Sequence, residues 1–148
     1  MQTFITGPGG RRRTGGFTLL EVLIAVVILS IGLLGLAGLQ ATGLKNNHSA
    51  YLRTQATTYA YDIIDRMRAN RQTALAGNYN IALGAAAPTG TSVAEADLAN
   101  WRSLITANLP AADSSANVNA GRVTVVVQWD DSRAGGSATQ SITVESEL

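Results

Sequence analysis

The chain has 148 residues, eleven Lys or Arg against ten Asp or Glu, a net charge of +1, one histidine and no cysteine. That length accommodates one folded domain beside an anchoring segment. With no thiol and only His48, the chain has no disulfide staple, no Cys/His nucleophile pair and no histidine-based metal cluster, so no enzyme activity, cofactor or metal is expected.

In chain order, the first feature is Arg11-Arg12-Arg13, followed by Thr14-Gly15-Gly16-Phe17-Thr18-Leu19-Leu20-Glu21. From Phe17 to Leu39 the polar residues, glycines apart, are Thr18, Glu21 and Ser30. At about 1.5 Å per residue a helix over this run extends roughly 35 Å, enough to cross a hydrocarbon core of about 30 Å. The arginines precede it, which predicts residues 1–16 in the cytoplasm and the C-terminal part outside it. Within this run Glu21 is the one charge, and a carboxylate at bilayer depth costs about 2.5–3.5 kcal/mol on insertion scales, so its presence calls for a function.

The run admits three readings. A secretory signal cut near Ala41-Thr42-Gly43 would need an unusually long apolar region and would contain Glu21. An unprocessed signal anchor leaves Glu21 unexplained. The third reading accounts for Gly16, Phe17, Glu21 and the arginines together: the motif Gly-Phe-Thr-Leu-Leu-Glu and the apolar helix after it resemble the processing site of type IV prepilins and the related pseudopilins. The resemblance implies cleavage after Gly16 by a prepilin peptidase, N-methylation of Phe17, and a role for Glu21, then the fifth residue, in pairing with the N-terminus of a neighbouring subunit. It also implies a single-pass protein of the bacterial inner membrane, with its head outside the cytoplasm, that later enters the base or tip of a fibre. The partners implied are the peptidase, membrane lipid before assembly, other minor and major pilins, and an inner-membrane assembly platform.

On that reading the chain divides into a leader at 1–16, a transmembrane and assembly half of the helix at 17–44, and a head at 45–148. Removing the leader takes three of eleven basic residues and no acid, leaving eight against ten and a charge near −2. The basic pI of about 8.2 therefore belongs to a disposable segment and does not argue for nucleic-acid binding.

Gly32, Gly35, Gly38 and Gly43 thin the middle of the helix, each at a cost of about 1 kcal/mol relative to alanine. They serve either close packing between membrane helices or a segment that unwinds when the subunit leaves the bilayer. Beyond them, Leu52, Ala56, Tyr59, Ala60, Ile63, Ile64 and Met67 recur at steps of three and four, which predicts one helix from about Thr18 to Arg71 with its second half on a head. Arg66, Arg68 and Arg71 are interleaved with Asp62 and Asp65 and read as a solvated face rather than a DNA surface.

Residues 73–91 read as a loop with short order near Tyr79 and Ile81, and a conceivable binding surface. Ser92-Val93-Ala94-Glu95 matches a capping box, and Leu98, Trp101, Ile105 and Leu109 follow at helical spacing, which predicts a helix over 93–108. Residues 111–120 read as a loop. Arg122–Trp129 and Thr139–Ser146 alternate as strands, with Val123, Val125, Val127, Ile142 and Val144 inward, and form an antiparallel hairpin. At least one further strand is required, since a lone hairpin is marginal. Asp130, Asp131 and Ser132 read as turn residues rather than cation ligands, and Trp101 and Trp129 as core.

This order of elements predicts an α+β pilin fold, a long helix packed on a small antiparallel sheet. The segments QATTYAYDIIDRMRANR, DLANWRSLITANL and VVVQWDDSR also resemble the type IV pilus modification proteins, the PilV-like minor pilins, which implies a low-abundance subunit that initiates or regulates pilus assembly. A minor pseudopilin of a type II secretion system is the alternative, and a pilus-associated adhesin or simply anchored binding domain the alternative of a different class.

Overall fold

The computed structural model describes residues 15–148. Its first element is helix α1, Leu19–Ala69. The chain divides into two compact units, Met1–Gln40 and Ala41–Leu148. In the first, residues 19–40 form the apolar part of α1, and all the described residues are exposed. Ser30 settles its hydroxyl on the Val26 carbonyl at 2.7 Å, so it leaves no polar group for lipid to satisfy. Among the described residues α1 is long and apolar enough to cross a membrane, with a mean hydropathy of 2.8 over its most apolar stretch.

The second unit is an α+β head. Helices α2, Arg71–Leu75, and α3, Val93–Asn108, join strands β1, Asp113–Asn119, β2, Arg122–Trp129, and β3, Gln140–Glu147, with a 3-10 turn at Ser132–Ala134. The strands form one antiparallel sheet in the order β1-β2-β3. The buried stripe of α1 is Leu52, Ala56, Ala60, Ile63, Ile64 and Met67, which follows the predicted helical spacing. It meets Ala94, Leu98, Trp101 and Ile105 from α3, and Val123, Val125, Val127 and Trp129 from β2. Tyr59 is partly buried at the margin, and its carbonyl accepts the Trp101 indole N–H at 2.8 Å. Both tryptophans are core residues.

Three local features differ from the sequence expectation. The helix predicted to run to Arg71 stops at Ala69. Asn70 leaves helical geometry (φ −117°, ψ 47°), and its side chain accepts from Thr73 Oγ1 at 2.7 Å and donates to Tyr79 Oη at 3.3 Å. Asparagine competes for such local bonds, and here the competition breaks the helix. Residues 73–75 then belong to α2 rather than to a loop.

The second difference is β1, which occupies the stretch read as the loop 111–120. Its sequence, DSSANVN, holds one β-branched residue, yet Ser114, Ala116 and Val118 alternate inward and pair with β2 from Asp113↔Gln128 to Asn119↔Arg122. Pairing overrides weak propensity here. This strand supplies the third member that the hairpin required. The third difference is the turn that joins β1 to β2. Ala120 and Gly121 both have positive φ, 50° and 83°, the geometry of a two-residue type I′ hairpin whose hand matches strand twist.

The β2–β3 hairpin is antiparallel as predicted; it pairs Val125↔Val144 and Val127↔Ile142, and both β3 residues pack partly buried against the core. Tyr79 is fully buried and Ile81 forms a bridge with Ala116, so the 76–91 segment carries the short order expected of it. Arg102 fastens that segment. Its guanidinium donates to the Ala82, Ala85 and Ser114 carbonyls and to Asp113 Oδ1, tying α3, β1 and the loop together.

Helix α3 begins with the predicted box: Ser92 Oγ accepts from the Glu95 N–H, and the Ser92 N–H donates to Glu95 Oε2 at 3.1 Å. A side chain at Gly90 would collide with the Glu95 carboxylate, so glycine lets the chain pass. Bonds from the Ser92 hydroxyl, then from its backbone N–H, lower the Glu95 pKa. A carboxylate depressed in the folded state adds stability above its unfolded pKa, and that stability is lost as pH falls through the folded value. Ser92→Ala is expected to cost about 1 kcal/mol at neutral pH. It should also flatten the loss of stability as pH falls through and below the ordinary glutamate range. Denaturant unfolding followed by Trp101 and Trp129 fluorescence measures both; equal pH slopes in the two proteins would refute the assignment.

Candidate processing and assembly site

Residues Gly15 to Thr18 are non-helical, and α1 begins at Leu19. Thr18 sits at the N-cap: its side-chain oxygen accepts the Glu21 N–H at 3.2 Å, and its carbonyl accepts from Glu21 and Val22. The cap places Glu21 in the first helical turn, where free N–H groups and the helix dipole favour a carboxylate. Phe17 is 83 % exposed, and Glu21 is exposed beside Val22, Ala25, Val26 and Leu29 along a shallow, mainly apolar groove. Among these residues Glu21 alone carries side-chain charge, at the position where a bond broken after Gly16 would create an α-amine one turn away. The role of Thr18 was legible in principle, since Thr18-Leu19-Leu20-Glu21 has capping-box spacing.

Among the described residues nothing requires glycine at Gly16. A Cβ built there meets no atom within 4 Å. A requirement for glycine at this position must therefore come from a partner that grips the junction. Arg11, Arg12 and Arg13, the basic part of the expected leader, lie outside the described residues.

Gly32, Gly35 and Gly38 lie in uninterrupted helix, and a Cβ at each also meets nothing within 4 Å. The helix passes through them without a break, and their small surface faces outward, open to neighbouring helices.

Other candidates are placed elsewhere. His48 is exposed on α1. Arg66 bridges Asp62 and Asp97, Arg68 pairs with Asp65 and donates to Ser146, and Arg71 donates to the Leu148 carbonyl. Their donors face intramolecular acceptors. Asp130 accepts the Ser132 N–H within its turn, while Asp131 is buried and accepts the Ser49 hydroxyl at 2.5 Å, joining the β2–β3 connection to α1. Among the described residues no three His, Asp or Glu side chains gather into a metal-holding group.

Comparison with known proteins gives one match. The family described as "Prokaryotic N-terminal methylation motif" matches residues 11–37, the span from the arginines through Gly16, Phe17 and Glu21 into the apolar helix. No curated protein and no solved structure matches the chain. The motif, the apolar helix and the α+β head together support a type IV pilin-like protein, either pilin or pseudopilin, anchored in a membrane. The motif implies processing by a prepilin peptidase and assembly with other pilins.

Because the chain itself leaves space at Gly16, Gly16→Leu should fold normally and yet block maturation. Immunoblotting should show only the precursor-size band; a mature band at normal abundance would refute recognition of this glycine.

Proposed function

We propose that the protein is a minor pilin of a type IV pilus, cut after Gly16, methylated on Phe17 and used to initiate or regulate pilus assembly. The observation that carries this reading is the junction itself: a capped helix start that holds Glu21 one turn from the cut, in an otherwise apolar stretch. In hydrocarbon an unpaired carboxylate seeks a cation or a proton. Cleavage creates the cation. The Phe17 amine of this chain or of a neighbour neutralises Glu21, and pairing between chains sets the stagger of adjacent helices.

The minor-pilin part of the reading rests on the three segments that resemble PilV-like proteins. They supply Ile63, Ile64 and Met67 of α1, Leu98, Trp101 and Ile105 of α3, and Val125, Val127 and Trp129 of β2. The resemblance thus includes residues that build the head core, together with exposed positions such as Asp65 and Arg133.

The direct test is the N-terminal residue and mass of the protein recovered from cells with and without prepilin peptidase. A chain beginning at N-methylated Phe17, lost in the peptidase mutant, is the expected result; an uncut chain, or one beginning after Gly43, would overturn the reading. Glu21→Ala should separate processing from assembly: maturation stays near wild type while recovery in sheared fibres falls at least tenfold. Normal recovery in the fibre fraction would remove Glu21 from the assembly step.

A further inference from the structure

The two edges of the sheet are unlike. The β1 edge is covered by the preceding loop. Ile81 exchanges backbone hydrogen bonds with Ala116 at 2.8 and 2.9 Å, Asn80 Oδ1 accepts the Val118 N–H at 2.7 Å, and the Gly84 N–H donates to Asp113. The β3 edge has less cover: the Arg68 guanidinium, 2.7 Å from Ser146 Oγ and 3.5 Å from the Glu147 carbonyl, meets its C-terminal end alone among the described residues. Its eight residues pair with β2 without interruption, and among the described residues no backbone bond reaches β3 from its outer side. Of the usual protections of an exposed edge, Gln140–Glu147 lacks proline, lysine and a bulge, and charge stands only at its C-terminal end, on Glu145 and Glu147.

The side-chain rows of β3 also stop short. On the core side Val125 and Val127 of β2 are fully buried, whereas their partners Val144 and Ile142 remain partly exposed. On the outer side lie Ser141, Thr143, Glu145 and Glu147; Glu145 meets Arg122 at 3.8 Å, and among the described residues the Glu147 carboxylate makes no ion pair. The next strand would therefore place apolar residues beside Ile142 and Val144 and a lysine or arginine beside Glu145 and Glu147.

Two occupants from a second copy of this chain are disfavoured. A like-oriented copy would offer its β1, the edge that Ile81 already occupies. A symmetric β3–β3 pair would bring no lysine or arginine to Glu145 and Glu147, since β3 has neither, and would add a second copy's two carboxylates to the same seam. We infer that the open edge of β3 receives an extended segment of a different protein, alternating apolar with polar and basic residues, as a fourth strand of the sheet. The inference rests on the proposed function in one respect, that the head is held outside the cytoplasm by a membrane anchor.

The test uses the full chain in assembling cells, with a photo-cross-linking amino acid in place of Thr143 and adducts mapped by peptide mass spectrometry. The expected result is an adduct to a segment of another protein that alternates apolar and polar residues and carries Lys or Arg. Neighbouring N–H groups of a strand alternate between the paired and the open side, so Thr143→Pro and Val144→Pro, each added with the cross-linker at Ser141, bracket the edge. The one that keeps the head protease-resistant should lower the adduct at least tenfold. An adduct to another copy of β3, an adduct only to helical residues, or no adduct would overturn the inference. Processed Phe17 without the adduct sinks this inference alone, while the adduct on an unprocessed chain sinks the proposed function alone.

Discussion

The head depends on one stripe of α1. Leu52, Ala56, Ala60, Ile63, Ile64 and Met67 are the surface on which both α3 and the sheet settle. The two alanines matter as much as the larger residues. Small side chains at Ala56 and Ala60 let neighbours approach the helix backbone, and Ile63, Ile64 and Met67 fill the wider space beyond them. Trp101 occupies that opening, fully buried, with its indole N–H on the Tyr59 carbonyl. An apolar cluster of this size can fold without a disulfide, and the chain has no cysteine with which to make one.

The apolar part of the same helix obeys the opposite rule. Its described residues are exposed, and the large apolar side chains are not buried by other described residues. A surface of this kind needs lipid or other helices. Glu21 is the exception within it, and its position explains why it is tolerated. The Thr18 cap puts it in the first turn, close to the end of the span and within reach of an amine created at Phe17. The carboxylate thus costs least where it can be neutralised.

Much of this was legible in the sequence because periodicity survives context. The α1 stripe, the Ser92–Glu95 box and the alternation of β2 are patterns in which many residues agree. The parts that were not legible depend on single residues or on distant partners. β1 reads as loop because Ser114, Ser115 and Asn117 have little strand preference, and only its pairing with β2 makes it a strand. The end of α1 turns on Asn70, whose side chain finds Thr73 and Tyr79, a residue nine positions later. The candidate site was the most legible feature, since Gly16, Phe17 and Glu21 lie within six consecutive residues. What the motif alone does not show is that the described residues leave room for a side chain at Gly16.

Arg102 shows how a head without cysteines holds a long loop. A buried guanidinium is costly unless its donors and its charge are answered. Here Asp113 answers the charge, and the carbonyls of Ala82, Ala85 and Ser114 take donors of the two terminal nitrogens, while the buried Nε–H has no partner among the described residues. The Asp113 carboxylate also accepts the Gly84 N–H, so both ends of the ion pair grip the same loop. Bonds to charged groups are worth more than neutral ones, about 1.5–3 kcal/mol each. This clamp, with Tyr79 in the core and Ile81 on the β1 edge, fixes the 76–91 segment at three separated points. The covered edge of the sheet therefore follows from a charge pair between α3 and β1, and the asymmetry between the two edges is built by side-chain chemistry that the strand sequences alone do not contain.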